Sequence, residues 1–295
     1  MEIFRGSGTA IVTPFKKDKS IDYETLKKLI EFQIKNETDA IIICGTTGES
    51  ATLSYEEHNK LIEKCIEYVN KRTKVIAGTG SNCTKTAIKL SKDAEKMGVD
   101  GLLIVTPYYN KTTQQGLINH YTKIAQNVET PIILYNVPSR TGCDLLPQTI
   151  KEIVLKNENV VGIKEASGNI NRTSDIKELL KDKISIYSGN DDQIVPILSI
   201  GGIGVISVLA NILPKETHEM VMNYLNGNTE KSKEEQLKSL KLIKALFSEV
   251  NPIPVKKALE LMGMINGTLR EPLIEMEEEH TKQLIKEMKN YGIKF

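Results

Sequence analysis

Short apolar runs rich in isoleucine and valine recur along the chain, and each ends in a small, polar or turn-forming residue. Most of these runs do not alternate apolar with polar positions, which is typical of strands buried on both faces of a parallel sheet. Segments with helical spacing and charged outer faces lie between the runs. The predicted strands cover residues 9–12, 40–44, 74–77, 101–105, 131–135, 160–164, 184–187 and 204–208.

The segments between the strands predict helices, among them 22–35, 55–70, 84–97 and 174–181. Ser54 followed by Glu57 has the spacing of a capping box, which supports the start of the second of these helices. Strands that alternate with helices in this way indicate an α/β protein with a closed (β/α)8 TIM barrel. The alternative is an open doubly wound sheet, but the GxGxxG motif expected after its first strand is missing.

The strand pattern stops after Asn211, and only helical spacing follows it. We therefore predict a barrel domain with the active site over residues 1–212 and a C-terminal helical extension over residues 213–295. The helices predicted in the extension cover residues 214–226, 232–247, 254–262 and 275–291.

Composition and charge argue against nucleic-acid-binding and membrane-spanning proteins. Hydrophobic residues make up 40% of the chain and charged residues 26%, and the net charge is only +1. This balance argues against nucleic-acid binding, which needs a basic face. The apolar runs are too short to span a membrane, and the N-terminus has no pattern of a signal peptide. The four cysteines form no CxxC pair and no metal-like cluster with histidines, so we expect reduced thiols, no metal and a cytoplasmic location.

In a barrel of this type the active site lies at the carboxyl ends of the strands. Lys164 ends the sixth predicted strand, directly after Val-Val-Gly-Ile, at a position that should be interior. Burial disfavours the charged form of an amine, and a neutral lysine amine is a nucleophile towards carbonyl groups. The alternative is a strand-end lysine that leans into solvent and pairs with Glu165.

Other strand ends carry groups that suit proton transfer or carboxylate binding. Tyr135 ends the fifth strand, beside the strand of Lys164, and its hydroxyl either carries a proton or hydrogen-bonds within a core. Thr46 and Thr47 offer hydroxyl and backbone N–H groups to a carboxylate, or they belong to an ordinary turn. Arg140 suits bidentate carboxylate binding, or it is a solvated loop arginine.

Four segments, in this order, make the chain similar to the 4-hydroxy-tetrahydrodipicolinate synthase (dihydrodipicolinate synthase) family. They are Gly-Thr-Thr-Gly-Glu-Ser at 45–50, Pro-Tyr-Tyr at 107–109, Tyr-Asn-Val-Pro-Ser-Arg-Thr-Gly at 135–142 and Gly-Ile-Lys-Glu-Ala-Ser-Gly at 162–168. The similarity extends from residue 8 through Asn-Pro-Ile-Pro-Val-Lys at 251–256 to the helical tail. Lys257 departs from the aromatic residue that the family often has there.

The lysine and the Tyr-Asn-x-Pro segment are shared with N-acetylneuraminate lyases and 2-keto-3-deoxy-sugar-acid aldolases, whereas Arg140 points to the synthase. The resemblance implies a lyase of lysine and diaminopimelate biosynthesis that condenses pyruvate with L-aspartate 4-semialdehyde. It implies no cofactor, because a lysine imine is itself the electron sink. The alternative to an enzyme is a binding protein built on the same barrel scaffold, since fold does not fix function.

The resemblance also implies a role for each site residue. Lys164 would form a Schiff base with pyruvate, and Tyr135 would carry protons through Thr47 and Tyr109, the latter supplied by a neighbouring subunit. Thr46 and Thr47 would hold the pyruvate carboxylate, Arg140 would hold the semialdehyde carboxylate, and Gly189 and the Ile206 carbonyl would line the pocket.

Two further properties follow from the resemblance. The family assembles as a homotetramer built from two dimers, and some members are inhibited by L-lysine at a site between subunits. Sensitive members carry a histidine where Tyr55 stands and a glutamate where Thr86 stands, so we expect weak or absent inhibition here. The alternative is that Glu56 or Glu57 supplies the missing carboxylate. The positions that match the lysine site are Ser50, Ala51, Tyr55, His58, Asn82, Thr86 and Tyr108.

Overall fold

Eight parallel strands close into a barrel in sequence order in the computed structural model, which describes residues 2–295. The strands are β1 (Gly6–Ala10), β2 (Ala40–Ile43), β3 (Lys74–Gly78), β4 (Gly101–Val105), β5 (Ile132–Asn136), β6 (Val160–Glu165), β7 (Ser185–Ser188) and β8 (Gly204–Ser207). Strand β8 pairs with β1 from Gly6–Gly204 to Thr9–Ser207, which closes the ring. The predicted (β/α)8 barrel is confirmed, and the open sheet is excluded.

At least one helix follows each strand, and four helices follow the last. The capping box at Ser54 and Glu57 is present. The helix predicted to begin at residue 174 begins at Ile170, because the Asn169 side chain caps it by accepting from the Asn171 N–H at 3.1 Å. The helices are α1 (Tyr23–Lys35), α2 (Tyr55–Val69), α3 (Thr84–Met97), α4 (Gln114–Ala125), α5 (Pro138–Thr141), α6 (Pro147–Lys156), α7 (Ile170–Leu180), α8 (Ile194–Ser199), α9 (Pro214–Leu225), α10 (Thr229–Leu246), α11 (Ile253–Leu261) and α12 (Glu278–Tyr291).

The first strand was predicted over residues 9–12, which is wrong by three residues at its start. Strand β1 runs from Gly6 to Ala10 and contains Ser7 and Thr9, both fully buried. The Thr9 hydroxyl donates to Gln33 Oε1 of α1 at 2.7 Å. The missed residues are Gly6, Ser7 and Gly8, which are buried but carry no apolar side chain, so an apolar run does not mark the start of this strand.

Apolar side chains pack on both sides of the barrel wall. One cluster lies between the strands and the helices, and it includes Leu246 of α10 and Leu284 of α12. A second cluster fills the barrel interior; its members include Phe4, Ile42, Ile76, Leu103, Ile133, Tyr187 and Ile206. No helix within residues 2–295 combines the length and the apolar character that crossing a membrane requires.

A buried ion pair joins the C-terminal helices to the loop after β2. Lys256 of α11 and Glu49 are both fully buried, and the Lys256 Nζ donates to Glu49 Oε1 at 2.5 Å and to the Thr268 carbonyl at 2.6 Å. The Arg270 N–H donates to Glu49 Oε2 at 3.1 Å. Desolvation lowers the pKa of Lys256, and the charge of Glu49 opposes this effect. Both ionised groups are therefore compensated inside the protein.

We predict that Lys256→Met destabilises the protein by about 3–5 kcal/mol, because it leaves the Glu49 carboxylate buried without its cation. Urea unfolding followed by circular dichroism at fixed protein concentration measures the change. The double variant Glu49→Gln/Lys256→Met should lose less, since no charge remains buried. Lys60→Met, which removes an exposed pair with Glu63, is the control and should leave the midpoint unchanged. A Lys256→Met midpoint equal to that of Lys60→Met would contradict the prediction.

Candidate active site

The ends of β5 and β6 bring together the two side chains expected to carry the chemistry. Tyr135 and Lys164 are register partners on these neighbouring strands. The Lys164 Nζ lies 4.4 Å from the centre of the Tyr135 ring, over its face. Lys164 is only 6% exposed and Tyr135 only 7%. A lysine amine therefore stands at the inner rim of the barrel, beside a phenol.

The structure does not support the pairing of Lys164 with Glu165. Successive strand residues point to opposite faces, so Glu165 faces away from Lys164. Its carboxylate accepts from the Ser167 N–H at 2.7 Å and from Asn136 Nδ2 at 3.2 Å. Burial raises the pKa of Glu165, and these hydrogen bonds oppose the rise. Lys164 thus has no counter-charge from its own neighbour in sequence.

Asp191 supplies a buried carboxylate on the lysine side of the barrel rim. It accepts from Ser207 Oγ at 2.6 Å, from the Val208 N–H at 3.0 Å and from the Leu209 N–H at 2.9 Å. Burial raises its pKa, and the three hydrogen bonds and the charge of Lys164 oppose the rise. Gly189 of this segment is named in the sequence analysis, but Asp191 is given no role there.

The loop after β2 holds the two adjacent threonines in a fixed turn. The Gly48 N–H donates to the Gly45 carbonyl at 3.1 Å, and Thr13 Oγ1 donates to the Gly48 carbonyl at 2.6 Å. Thr47 is buried at 3% exposure, whereas Thr46 is half-buried. The Thr47 Oγ1 accepts from Asn251 Nδ2 at 2.9 Å. Asn251, which no residue-based argument singled out, therefore belongs to the same group of side chains.

Arg140 lies on the short helix α5 and is exposed. Its Nη2 donates to the main-chain carbonyl of Asn251 at 3.1 Å. Asn251 thus contacts both Thr47, which follows β2, and Arg140, which follows β5. The guanidinium keeps its remaining N–H groups for an acceptor such as a carboxylate.

Gly189 directly follows β7, and Ile206 lies near the end of β8, where residues that line a pocket at this rim are expected. The Gly189 N–H donates to the Glu165 carbonyl at 2.7 Å, which joins it to the end of β6. A Cβ at Gly189 would lie 2.5 Å from the Cβ of Ala166, so only glycine fits there. Ile206 is fully buried in the barrel interior.

Tyr109 stands apart from these residues. Its side chain is 90% exposed, and its backbone has a φ of 70°, in the left-handed region that bulky residues rarely adopt. The Tyr109 N–H donates to the Thr141 carbonyl at 3.4 Å. The chain thus holds an aromatic side chain out into solvent on a strained backbone, and packing within its own core does not explain this.

One group of three metal-capable side chains occurs within residues 2–295, outside the rim just described. It consists of Glu249, Glu277 and His280, whose ligand atoms lie within 4.8 Å of one another. His280 Nδ1 lies 2.8 Å from Glu249 Oε1, and this contact raises the pKa of His280. Glu249 Oε1 also accepts from the Glu277 N–H at 2.9 Å, directly before α12, where carboxylates stabilise the helix dipole. This contact with the helix accounts for the acidic residues of the group without a metal.

Comparison with known proteins decides the family. Residues 3–291 match the model of the dihydrodipicolinate synthetase family. The chain belongs to this family. It is 57% identical over 293 residues to the 4-hydroxy-tetrahydrodipicolinate synthase of Lachnoclostridium phytofermentans, which covers 99% of this chain and 100% of that protein. The resemblance stated from the motifs is confirmed, and the chain is a lyase of this family.

Two solved structures are similar over nearly the whole chain. One is described as the first monomeric dihydrodipicolinate synthase variant; it is 45% identical, with a TM-score of 0.96, and the match covers 99% of this chain and 98% of that one. The other, from Cyanidioschyzon merolae, was solved with lysine bound. It is 38% identical, with a TM-score of 0.96, and covers 99% of this chain and 100% of that one.

Proposed function

We propose that this protein condenses pyruvate with L-aspartate 4-semialdehyde to give 4-hydroxy-tetrahydrodipicolinate. The observation that carries the proposal is the buried Lys164 amine, 4.4 Å from the Tyr135 ring at the carboxyl ends of β5 and β6. Full-length identity above 50% to a named synthase favours this reaction over those of N-acetylneuraminate lyases and sugar-acid aldolases. The shared lysine alone would not separate these activities.

Lys164 begins the reaction as a nucleophile. Its Nζ attacks the ketone carbon of pyruvate, and the resulting carbinolamine loses water to form an imine. The imine nitrogen accepts electron density when a methyl proton leaves, which gives an enamine. The enamine carbon then forms a bond to the aldehyde carbon of the semialdehyde. Finally the amino group of the semialdehyde attacks the imine carbon, closes the ring and releases the Lys164 amine.

These steps require protons at the imine nitrogen and at two oxygens, and the Tyr135 ring lies 4.4 Å from the amine. We assign Tyr135 as the proton carrier, with Thr47 as the next group of the relay. Tyr109 completes the relay from a neighbouring subunit, which accounts for its exposure and its strained backbone. General acid–base groups of this kind contribute about 10²–10⁴-fold to rate.

The remaining residues bind and enclose the substrates. Thr46 and Thr47 hold the pyruvate carboxylate through hydroxyl and backbone N–H groups, in a loop that the Glu49–Lys256 pair fixes. Arg140 binds the carboxylate of the semialdehyde. Gly189 and the Ile206 carbonyl line the pocket.

The trans role of Tyr109 makes a dimer the smallest complete catalytic unit, and we propose a homotetramer of two such dimers. A monomeric variant exists among the solved relatives, and sedimentation at the assay concentration tests the assembly of this chain. Reduced cysteines and the biosynthetic reaction fit a cytoplasmic enzyme.

We predict that borohydride in the presence of pyruvate inactivates the protein and adds the mass of a reduced pyruvate adduct at Lys164. Peptide mass spectrometry locates the adduct. Lys164→Arg keeps the charge but forms no imine under these conditions, so it should show no adduct and no turnover while keeping its circular dichroism spectrum. Lys17→Ala, an exposed lysine variant, should behave as wild type. An adduct at another lysine, or turnover by Lys164→Arg, would remove Lys164 from the mechanism.

We predict that Tyr109→Phe lowers kcat by about tenfold or more without lowering stability, because only the proton relay loses a group. Mixing tests the trans assignment. A Lys164→Ala subunit still offers its Tyr109, so refolding it together with Tyr109→Phe subunits should restore activity above that of either parent. Activity that stays at the average of the two parents would place Tyr109 in its own subunit's site.

The positions that match the lysine site carry few free negative charges. Tyr55 Oη donates to Asp93 Oδ2 at 2.5 Å, and the Lys89 Nζ lies 3.7 Å from the centre of the Tyr55 ring. Of the two carboxylates that could replace the missing glutamate, Glu57 accepts from Arg270 and from the Ser54 N–H, so its charge is already paired. The exposed Glu56 accepts from Ser54 Oγ at 2.9 Å.

We predict weak or absent inhibition by millimolar L-lysine. The Thr86 hydroxyl cannot neutralise an ammonium that leaves water, and losing the charged partner of such a pair costs about 2–5 kcal/mol. An inhibition curve measured at subsaturating pyruvate checks this. Thr86→Glu should gain inhibition, whereas the matched variant Thr86→Gln should not. A submillimolar midpoint in the wild type would show that another group binds the ammonium.

A further inference from the structure

Asn136 and Glu165 lie directly behind the two reactive side chains, on the outer face of the barrel wall. They follow Tyr135 and Lys164 in the chain and are register partners on β5 and β6, as those two residues are. Successive strand residues point to opposite faces of a sheet. Asn136 and Glu165 therefore face the surrounding helices, where Asn136 is fully buried and Glu165 is 2% exposed.

Both hydrogens and the oxygen of the Asn136 amide are hydrogen-bonded. Its Nδ2 donates to Glu165 Oε2 at 3.2 Å and to Asp144 Oδ1 at 3.1 Å, and its Oδ1 accepts from the Leu145 N–H at 3.0 Å. Ionised carboxylates only accept and a main-chain N–H only donates, so these partners admit one orientation of the amide. The side chain thus joins the end of β5 to the end of β6 and to the loop that follows α5.

The two carboxylates that receive the Asn136 hydrogens are themselves held in place. Arg172 of α7 donates from Nη1 and Nη2 to the two oxygens of Asp144, at 2.6 and 2.7 Å. Such paired N–H···O bonds define the position of a carboxylate. Glu165 Oε1 accepts from the Ser167 N–H at 2.7 Å. The Asn136 amide is therefore bound between two fixed acceptors.

These contacts act on Tyr135 and Lys164 through the strand backbone. Turning the end of β5 about its own axis would move the Tyr135 ring and the Asn136 amide together, because the two residues are consecutive and point to opposite faces. The hydrogen bonds of the amide resist that movement. The same holds for Lys164 and Glu165 on β6. The 4.4 Å between the Lys164 Nζ and the centre of the Tyr135 ring is thus linked to the contact between Asn136 and Glu165.

We infer that Asn136 is a positioning residue, which holds the Tyr135 phenol and the Lys164 amine in their reactive arrangement from the outer face of the barrel. This inference rests on the proposed function, in which Lys164 forms the imine and Tyr135 carries its protons. Asn136 touches no reacting atom in this role. Its effect is geometric, and a displacement of about 1 Å at a reacting group can cost about a hundredfold in rate.

Two substitutions of similar size separate this role from packing. Asn136→Leu removes the hydrogen bonds of the amide at every pH. Asn136→Asp still accepts from the Leu145 N–H, but its second oxygen faces the carboxylates of Glu165 and Asp144. Burial and like charge raise the pKa of such a carboxylate group, and the Arg172 guanidinium on Asp144 opposes the rise. The aspartate variant should recover as the pH falls through that raised pKa, because a bound proton replaces the lost N–H, whereas the leucine variant should not.

The measurement is the rate of imine formation with pyruvate alone, obtained by rapid mixing, borohydride quenching and mass spectrometry. At about pH 8 we expect Asn136→Asp to react about tenfold or more slowly than wild type, and at about pH 6 its rate should approach that of wild type. Asn136→Leu should stay slow at both pH values. Circular dichroism at each pH checks that the variants are folded. Asn228→Asp, an exposed position of the C-terminal extension, is the control and should match wild type.

A double variant tests the hydrogen bond between the two strands. Glu165→Gln alone places two amide NH2 groups against each other and should slow imine formation. In Asn136→Asp/Glu165→Gln the new amide donates to the new carboxylate, which restores the bond in the reverse direction with the net charge of the wild-type pair. This variant should react faster than Asn136→Asp at about pH 8, a coupling that packing does not produce. The comparison decides the inference even where Asn136→Asp unfolds at the higher pH, since the double variant must then fold and react.

Three results would overturn the inference. They are an Asn136→Asp rate equal to wild type at about pH 8, a loss of the same size at both pH values, and a double variant no faster than Asn136→Asp. A wild type that forms no adduct would instead overturn the proposed function. A wild-type adduct together with any of the three results removes only the role of Asn136, so the two failures are distinguishable.

Discussion

Closure of the eight-stranded parallel barrel is the constraint on which the rest of the molecule depends. All strands run in one direction and β8 pairs with β1, so every carboxyl end lies on one rim. The interior below that rim is filled; Tyr187 stacks on Phe4 with ring centres 4.4 Å apart, and its hydroxyl donates to the Phe4 carbonyl at 2.7 Å. A polar side chain at a strand end can reach solvent and substrate only through the rim. This is why Lys164 and Tyr135 can be both buried and available for reaction.

The C-terminal helices complete the rim as well as the core. Lys256 reaches Glu49, and Asn251 reaches Thr47 and Arg140, so one short stretch of chain contacts two loops of the barrel. Glu49 has a φ of 53°, a conformation that its buried ion pair helps to hold. Residues of the C-terminal extension therefore hold the loop that carries the two threonines. The extension contacts the candidate site, and its loss would disturb the loop as well as expose apolar surface.

Sequence patterns could predict the barrel and the residues at the strand ends, because both depend on local order along the chain. Apolar runs marked the eight strands, and position within a barrel selected Lys164 and Tyr135. The start of β1 was missed, since Gly6, Ser7 and Gly8 are buried but carry no apolar side chain that would extend the run. Asn251 and Lys256 gave no residue-level signal, because their partners lie 204 and 207 positions away in sequence. Hydrogen bonds of that range exist only once the barrel has closed.

Two groups of the rim are unfavourable in the isolated chain. Tyr109 keeps a left-handed backbone while its side chain gains almost no burial, and Asn251 keeps a buried oxygen without a donor. Neither feature stabilises an isolated chain, and each costs free energy that the large core offsets. Such features persist where something outside the chain completes them. In the proposed reaction, the partner that completes Tyr109 is a second subunit. The proposed function explains the cost at Tyr109, because substrate and a neighbouring chain would supply the contacts that the isolated chain lacks there.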